Sequence, residues 1–372
     1  FKRVAVLVRM TPEINSISDL QRLVLSGFDD WKSIGEVSTA TDGDLILFNY
    51  TNKAQYEGRW NYFERISRGI ILNRITGEIV AHPFYKFFNI GERGEKPQGH
   101  IVTITEKLDG SMNTLLRVDG EYRIATRGAF HSEQADWATA HLHKRHNLNG
   151  LPDELTLIFE MIAPHNRIVV DYGGREELVL LATRNRHTGA YLPFFPDVFN
   201  LAQTYGFSTP RVFTFNNITE IIEKTGTLPV SEEGYVVEFS DGQRFKFKGD
   251  RYLELHRLIS GLSFKHTLEA IQSGTVDYIR SQIPDEFLGQ FNGWVTTIEG
   301  MADGIEHAAQ DAFAIAPKDS RKDFAQFVMA NHQNVAPYLF KLFDGKEIRP
   351  LIYRSAFRDF KDEEAANVDG VA

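Results

Sequence analysis

A few charged residues, each beside or within a strand-like run, define the chemistry this sequence could perform. Lys107-Leu108-Asp109-Gly110-Ser111 sets a lysine and an aspartate at a turn. Glu160 closes the apolar run Leu155 to Phe159, and Glu233-Gly234 precedes the run Tyr235 to Phe239. Lys246 and Lys248 alternate with Phe245 and Phe247, so a strand would place the lysines on one face and the rings on the other. A lysine amine can attack phosphorus, metal-associated carboxylates can manage the charge, and further cations can stabilise departing phosphates. The set therefore suits covalent capture of a nucleotide. The amine attacks only when unprotonated, and free lysine has a pKa of about 10.4. Neighbouring cations disfavour the ammonium form, which gives Lys246, Lys248 and a bound metal ion a part in activating Lys107.

Each residue also has a plainer reading. Lys107 can be a solvated lysine entering a hairpin, Asp109 a turn aspartate, Glu233 with Glu232 a wet acidic turn, and Lys246 and Lys248 the solvated face of a strand. In the chemical reading, Asp109 orients an attacking group or holds a metal-bound water. Glu160, after an apolar run, needs a partner in place of a dry core, and a metal ion or ribose hydroxyl supplies one. Magnesium takes oxygen ligands and keeps several waters, so Glu160 and Glu233, directly or through water, are enough to hold it. His141, His143 and His146 show no metal-ligand spacing, and Ser111 has no general-base partner nearby in the sequence.

The elements that must position these groups follow from pattern. Strands are expected at 45–50, 69–72, 100–105, 114–118, 122–126, 155–162, 166–172, 177–183, 234–239 and 244–248. Asp119-Gly120 and Asp241-Gly242 are hairpin signals. Ser132 reads as the N-cap of a helix to Arg145, and further helices are expected at 197–205 and 217–224. After about residue 250 the strand-like runs stop and 3.6-period segments take over, at 251–262, 265–281, 285–310, 319–332 and 334–343. The acidic tail from Lys361 to Ala372 is expected to fray. The chain thus reads as α+β, with an α+β body over residues 1–255 and a helical module over 256–372.

Composition sets limits. The 372 residues are 42% hydrophobic and 24% charged, as in ordinary globular proteins. Without cysteine, disulfides, thiolate metal sites and cysteine catalysis are excluded. No apolar run approaches the roughly 18 residues that span a bilayer, and the opening Phe-Lys-Arg-Val is not a signal peptide, so a cytoplasmic protein without membrane association is expected. Since the chain opens on Phe1 and not on Met, a few native residues or a tag are expected to be missing. The net charge of −9 means that any nucleic-acid binding must come from a local basic groove.

Taken in order, these motifs resemble the covalent nucleotidyltransferases, the ligases and capping enzymes. The closest resemblance is to the phage type 1 RNA ligases that repair tRNA breaks, and it covers nearly the whole chain. Lys107 to Ser111 is similar to the nucleophile motif, with Thr126-Arg127-Gly128 at the place of the next short motif. Phe159-Glu160-Met161-Ile162-Ala163-Pro164, continuing into Asn166-Arg167-Ile168-Val169, is similar to the third motif and its type 1 extension. Leu178 to Arg184 corresponds to the following strand, Glu233-Gly234-Tyr235-Val236 to the fourth motif and Phe245-Lys246-Phe247-Lys248 to the fifth. Arg68-Gly69-Ile70 and Lys86-Phe87-Phe88-Asn89 resemble stretches that type 1 ligases carry upstream, while His82 and Tyr85 depart from the phage pattern.

The resemblance implies a nucleotidyltransferase (ATP-grasp-like ligase) body of antiparallel sheets with helices, plus an all-helical C-terminal domain that sets RNA specificity, in which Lys318 to Phe343 is similar to the tRNA-recognition region. It implies Lys107, Asp109, Glu160, Glu233, Lys246 and Lys248 as the catalytic set. It implies nucleotide contacts from Arg68, Lys86, Glu106, Lys107, Glu160, Val236, Lys246 and Lys248, with Arg68 and Lys86 clamping the β- and γ-phosphates, and Glu160 and Glu233 at the metal. The implied activity is ATP-dependent joining of RNA 3′-hydroxyl and 5′-phosphate ends through lysine–AMP and RNA-adenylate, with Mg2+ or Mn2+. The implied partners are broken tRNA or single-stranded RNA and a polynucleotide kinase–phosphatase, in the cytoplasm of a bacterial or phage-infected cell. DNA ligases and capping enzymes, the nearest alternatives, usually append a small β-barrel where this chain reads as helices. A catalytically silent RNA-binding protein on the same fold is a further alternative, against which the full set of catalytic residue types argues.

Overall fold

The computed structural model describes residues 11–259, 261–283 and 285–357. The chain divides into two compact units after His256. The tail from Lys361 to Ala372 lies outside the described residues.

Among the described residues, the first unit is built on three sheets. In one, the strands Val37–Asp42, Leu45–Tyr50, Arg68–Asn73 and Ile79–Ala81 lie in chain order, all antiparallel. The helix Ile17–Leu25, capped by the Ser16 hydroxyl, buries Leu20 and Val24 in a core with Trp31, Phe48, Ile66 and Leu72. In the second sheet, Ser111–Val118 turns back into Glu121–Thr126 through Asp119 and Gly120, whose φ values of 51° and 86° are those a two-residue hairpin turn demands. Leu155–Ile162 and Glu177–Asn185 complete this sheet on the other side. The helix Glu133–Arg145 starts at Ser132, whose hydroxyl accepts from the Ala135 amide, and packs Ala138 and Leu142 against Leu115, Phe159 and Leu180.

The third sheet places Ile101–Lys107 between Val212–Phe213 and Gly234–Phe239, followed by Arg244–Lys248. Its last member, Phe88–Asn89, pairs in parallel with Arg244–Lys248, while its other strand pairs are antiparallel as expected. Phe245 and Phe247 pack with Ile104, Tyr235 and Val237 in a core under one face. The chain leaves this sheet at Lys107, turns through Leu108-Asp109-Gly110 and enters the second sheet at Ser111. The turn therefore joins two sheets.

One expected strand does not form. Residues 166–172 follow a short helical turn, Pro164–Asn166, and pair with no strand. The Val169 and Val170 amides, which a strand would give to a neighbour, are instead bound by the Asp109 carboxylate. Among the described residues, the second unit consists of helices with their own core of Phe264, Phe291, Trp294, Ile298, Phe324, Leu339 and Ile352. The single helix expected at 265–281 is two, Phe264–Ser273 and Val276–Gln282, because Gly274 ends the first in the left-handed conformation. Arg349–Ser355 forms a helix beyond the last one expected, with Pro350 in its first turn, where proline is tolerated. Among the described residues no helix is long and apolar enough to cross a membrane.

Candidate active site

Strand register brings the lysines together. Lys107 stands opposite Gly234, which stands opposite Lys248; in the next row Thr105, Val236 and Lys246 align. With side chains alternating along each strand, Lys107, Val236, Lys246 and Lys248 share the face opposite the aromatic core. Gly234 has to be glycine. Its φ is +149°, and a Cβ there would stand 1.8 Å from the Phe247 carbonyl oxygen of the adjoining strand.

The lysine row meets two acids. Lys107 Nζ lies 2.7 Å from Glu233 Oε1, and Lys248 Nζ lies 3.6 Å from the same oxygen. Glu233 is 3% exposed, and among the described residues its Oε2 has no hydrogen-bond partner. Glu160 Oε1 accepts from the Gly110 amide at 3.0 Å, across from the turn that carries Lys107. Gly110 itself packs so closely that a Cβ would be 2.3 Å from the Met161 carbonyl oxygen. Burial pushes the Glu160 carboxyl up to about 7, with the Glu233 charge adding to the rise and the Lys107 ammonium opposing it. The site thus brings together a half-buried carboxyl whose pKa is pushed up, a buried glutamate with one oxygen lacking a hydrogen-bond partner among the described residues, and the Lys107 amine.

Asp109 is committed to the protein. Its Oδ2 accepts from the Val169 and Val170 amides at 2.8 and 2.7 Å, and its Oδ1 from the Tyr252 hydroxyl at 2.9 Å. Its own amide donates to the Tyr172 hydroxyl at 2.8 Å. These bonds tie the Lys107 turn to the segment after strand Leu155–Ile162 and to the helix Asp250–Ile259. Next to it, the Ser111 hydroxyl and the Gln134 amide both donate to Asn166 Oδ1, at 3.1 and 2.7 Å, and Asn166 Nδ2 donates to the Met161 carbonyl at 3.2 Å. Tyr172, Tyr252 and Gln134 were not anticipated from sequence. Only the 164–169 stretch signalled that this region had a role.

The upstream cations lie against aromatic rings, and one of these rings is shared with Lys246. Arg68 and Lys246 both sit over Phe87, at 5.2 and 5.6 Å from its centroid. Lys86 lies 4.9 to 5.5 Å from the rings of Trp60, Tyr50 and Phe88. Arg127 lies over the same Tyr50 at 4.8 Å and donates to its hydroxyl at 2.6 Å. Such contacts hold cations in place at modest cost. Glu106 is placed differently. It aligns with Tyr235, on the face away from Lys107, and is gripped at both oxygens by Arg211, at 3.0 and 2.9 Å. Among the described residues no group of three or more histidines and acids could hold a metal ion; His143 and His146 instead bond the carbonyls of Tyr122 and Tyr205.

This arrangement of a strand-end lysine, paired acids and further lysines lies within residues 66–252, which match the RNA ligase family of the phage type 1 kind. The chain belongs to that family. A provisionally named RNA ligase of Thermovibrio ammonificans is 32% identical over 221 residues, which cover 55% of this chain and 56% of that protein. A provisionally named bifunctional polynucleotide kinase/RNA ligase of Autographa californica nuclear polyhedrosis virus is 28% identical over 255 residues, 60% of this chain and 35% of the viral one. The chain therefore spans about half or less of the length of these relatives. Among solved structures, an archaeal ATP-dependent RNA ligase aligns over 84% of this chain and 93% of its own at 13% identity, with a TM-score of 0.42, too loose a likeness to carry residue roles.

Proposed function

We propose that the protein is an ATP-dependent RNA ligase that works through lysine–AMP. The observation that carries this reading is the Lys107–Glu233–Lys248 group beside Glu160, placed at a strand end within the family match. In the first step Lys107 Nζ, having lost its proton, attacks the α-phosphorus of ATP; a P–N bond forms and the bond to pyrophosphate breaks. In the second, a 5′-phosphate oxygen of RNA attacks that phosphorus, the P–N bond breaks and the lysine leaves. In the third, an RNA 3′-hydroxyl attacks the activated 5′-phosphorus and AMP departs. All three are phosphoryl-type displacements, in which positioning and electrostatics do most of the catalysis.

Lys246 and Lys248 would meet the α-phosphate, Arg68 and Lys86 the β- and γ-phosphates, and Val236 would pack against the nucleoside from the same face as Lys107. Asp109 serves by holding the Lys107 turn. Glu106, held by Arg211, would reach a nucleotide only if that pair opened. The residues also fit a divalent cation: Glu233 keeps a buried oxygen without a hydrogen-bond partner, and Glu160 is a second acid at the same lysine. Magnesium or manganese there, held partly through water, would supply positive charge against the developing phosphate charge.

The RNA we infer is broken tRNA or another single-stranded RNA, with the helices from Arg257 onward choosing among substrates. Sealing needs a 3′-hydroxyl and a 5′-phosphate, the ends a polynucleotide kinase–phosphatase produces, and the viral relative's name couples a kinase with a ligase. The cytoplasm of a bacterial or phage-infected cell would supply ATP and such RNA. The test is a chase. Protein incubated with radiolabelled ATP and magnesium should carry label after denaturation, and unlabelled 5′-phosphorylated RNA should then remove it as RNA-adenylate and free AMP. Label that forms but never moves to RNA, with nicked tRNA, single strands and nicked duplex all tried, would refute an RNA ligase.

A further inference from the structure

On the helix Glu133–Arg145, Ala135, Ala138 and Leu142 are buried, while Trp137 packs against the edge of the same core and stays half-buried. One turn on, the half-buried His141 ring stacks on Trp137 with centroids 4.8 Å apart and planes 24° apart. The exposed His165 meets the same indole edge-on at 5.1 Å. These three rings form a partly open aromatic surface that no step of the proposed reaction uses. It is anchored close to the nucleophile turn. Gln134, three residues before Trp137, donates to Asn166 Oδ1, and Asn166, next to His165, also accepts from the hydroxyl of Ser111, which follows Gly110. The exposed Arg167 lies just beyond, and the last helical turn carries His143, Lys144 and Arg145.

We propose that Trp137, His141 and His165 form a stacking platform for unpaired bases of the RNA near the end being joined. The proposal rests on the RNA ligase reading and adds a place where the substrate strand is held on the catalytic unit. Unpaired bases present flat faces that stack on aromatic and histidine rings without regard to sequence, whereas paired bases in a duplex do not. A chain of net charge −9 has no broad field to draw in a polyanion, so stacking supplies affinity that the overall charge does not. Burial, with the charges of His146 and Arg145 nearby, lowers the pKa of His141, which favours an uncharged ring at neutral pH.

The experiment measures binding of a short fluorescent single-stranded RNA to the full chain by anisotropy, without ATP, and compares it with the same RNA in duplex. Trp137→Ala should weaken single-strand binding about 5- to 100-fold, and Trp137→Phe should keep most of it. His165→Ala, a change at an exposed ring, should weaken it several-fold and serves as the second probe should Trp137→Ala fail to fold. In each weakened variant the preference for single strand over duplex should shrink. Wild-type affinity in both alanine variants would overturn the platform, as would equal loss in Trp137→Phe and Trp137→Ala or equal loss for single strand and duplex. If the wild-type protein takes no AMP from ATP, the ligase reading fails, and the anisotropy series still decides whether the rings bind RNA.

Discussion

Asp109 offers a stringent test of how the site is built, because its carboxylate accepts three hydrogen bonds and is 4% exposed. Asp109→Ala removes the acceptor for two buried backbone amides, and each buried donor left unpaired costs about 1–3 kcal/mol. The Tyr252 bond is lost as well, so the variant should lose about 3–5 kcal/mol, a large part of a typical folding stability of about 5–15 kcal/mol. Asp109→Asn should be much milder. Its one carbonyl oxygen can keep the Val169 and Val170 amides, and its NH2 group can donate to the Tyr252 hydroxyl, which rotates from donor to acceptor. What remains is the loss of charge assistance, about 1–2 kcal/mol. Tyr252→Phe removes one bond and should cost about the same. Urea unfolding gives the stabilities, and the rate of lysine–AMP formation, measured in parallel, should fall in the same order. Asp109→Ala no less stable than Asp109→Asn would refute the clamp. Asp109→Asn with unchanged stability but no lysine–AMP would show instead that the carboxylate acts on ATP or its metal directly.

Arg68→Ala and Lys86→Ala should slow lysine–AMP formation at least several-fold more than sealing of pre-adenylated RNA, since in the proposed reaction the β- and γ-phosphates are gone after the first step; equal losses in both assays would assign them to folding or RNA binding. Lys107→Ala should still seal pre-adenylated RNA, because the third step does not require the lysine to carry AMP, and a variant inactive in that assay would give the lysine a further role. Glu160 ties stability to pH. Its folded-state value is raised from 4.5 to about 7, so the fold favours the protonated form; that contribution is complete below pH 4.5 and is lost as pH rises through about 7. Glu160→Gln should therefore flatten the fall in stability across this window, as measured by denaturation at several pH values, and a variant that keeps the wild-type slope would locate the titration elsewhere.

The sheets were legible in sequence where alternation and turn signals agreed. Phe245, Lys246, Phe247 and Lys248 do split into a core face and a lysine face, and Asp119-Gly120 does turn a hairpin. The strand expected at 166–172 failed because its amides bind a side chain 60 positions earlier, which no local pattern encodes. The same holds for the site. Lys107, Glu160 and Glu233 stood out by type and by their place beside apolar runs, and the structure brings Glu233 to Lys107 and Glu160 to the Lys107 turn. Tyr252 and Tyr172 were invisible as Asp109 partners because a tyrosine near a predicted helix or strand reads as packing. The Glu106–Arg211 pair was likewise hidden, since it joins residues 105 positions apart.

The central claim is that Lys107 carries AMP. Digesting protein incubated with ATP and magnesium and mapping the adenylated peptide by mass spectrometry tests it directly. One AMP is expected, on the peptide containing Lys107, and none in Lys107→Ala. AMP on Lys246, Lys248 or any other residue, or adduct persisting in Lys107→Ala, would contradict it.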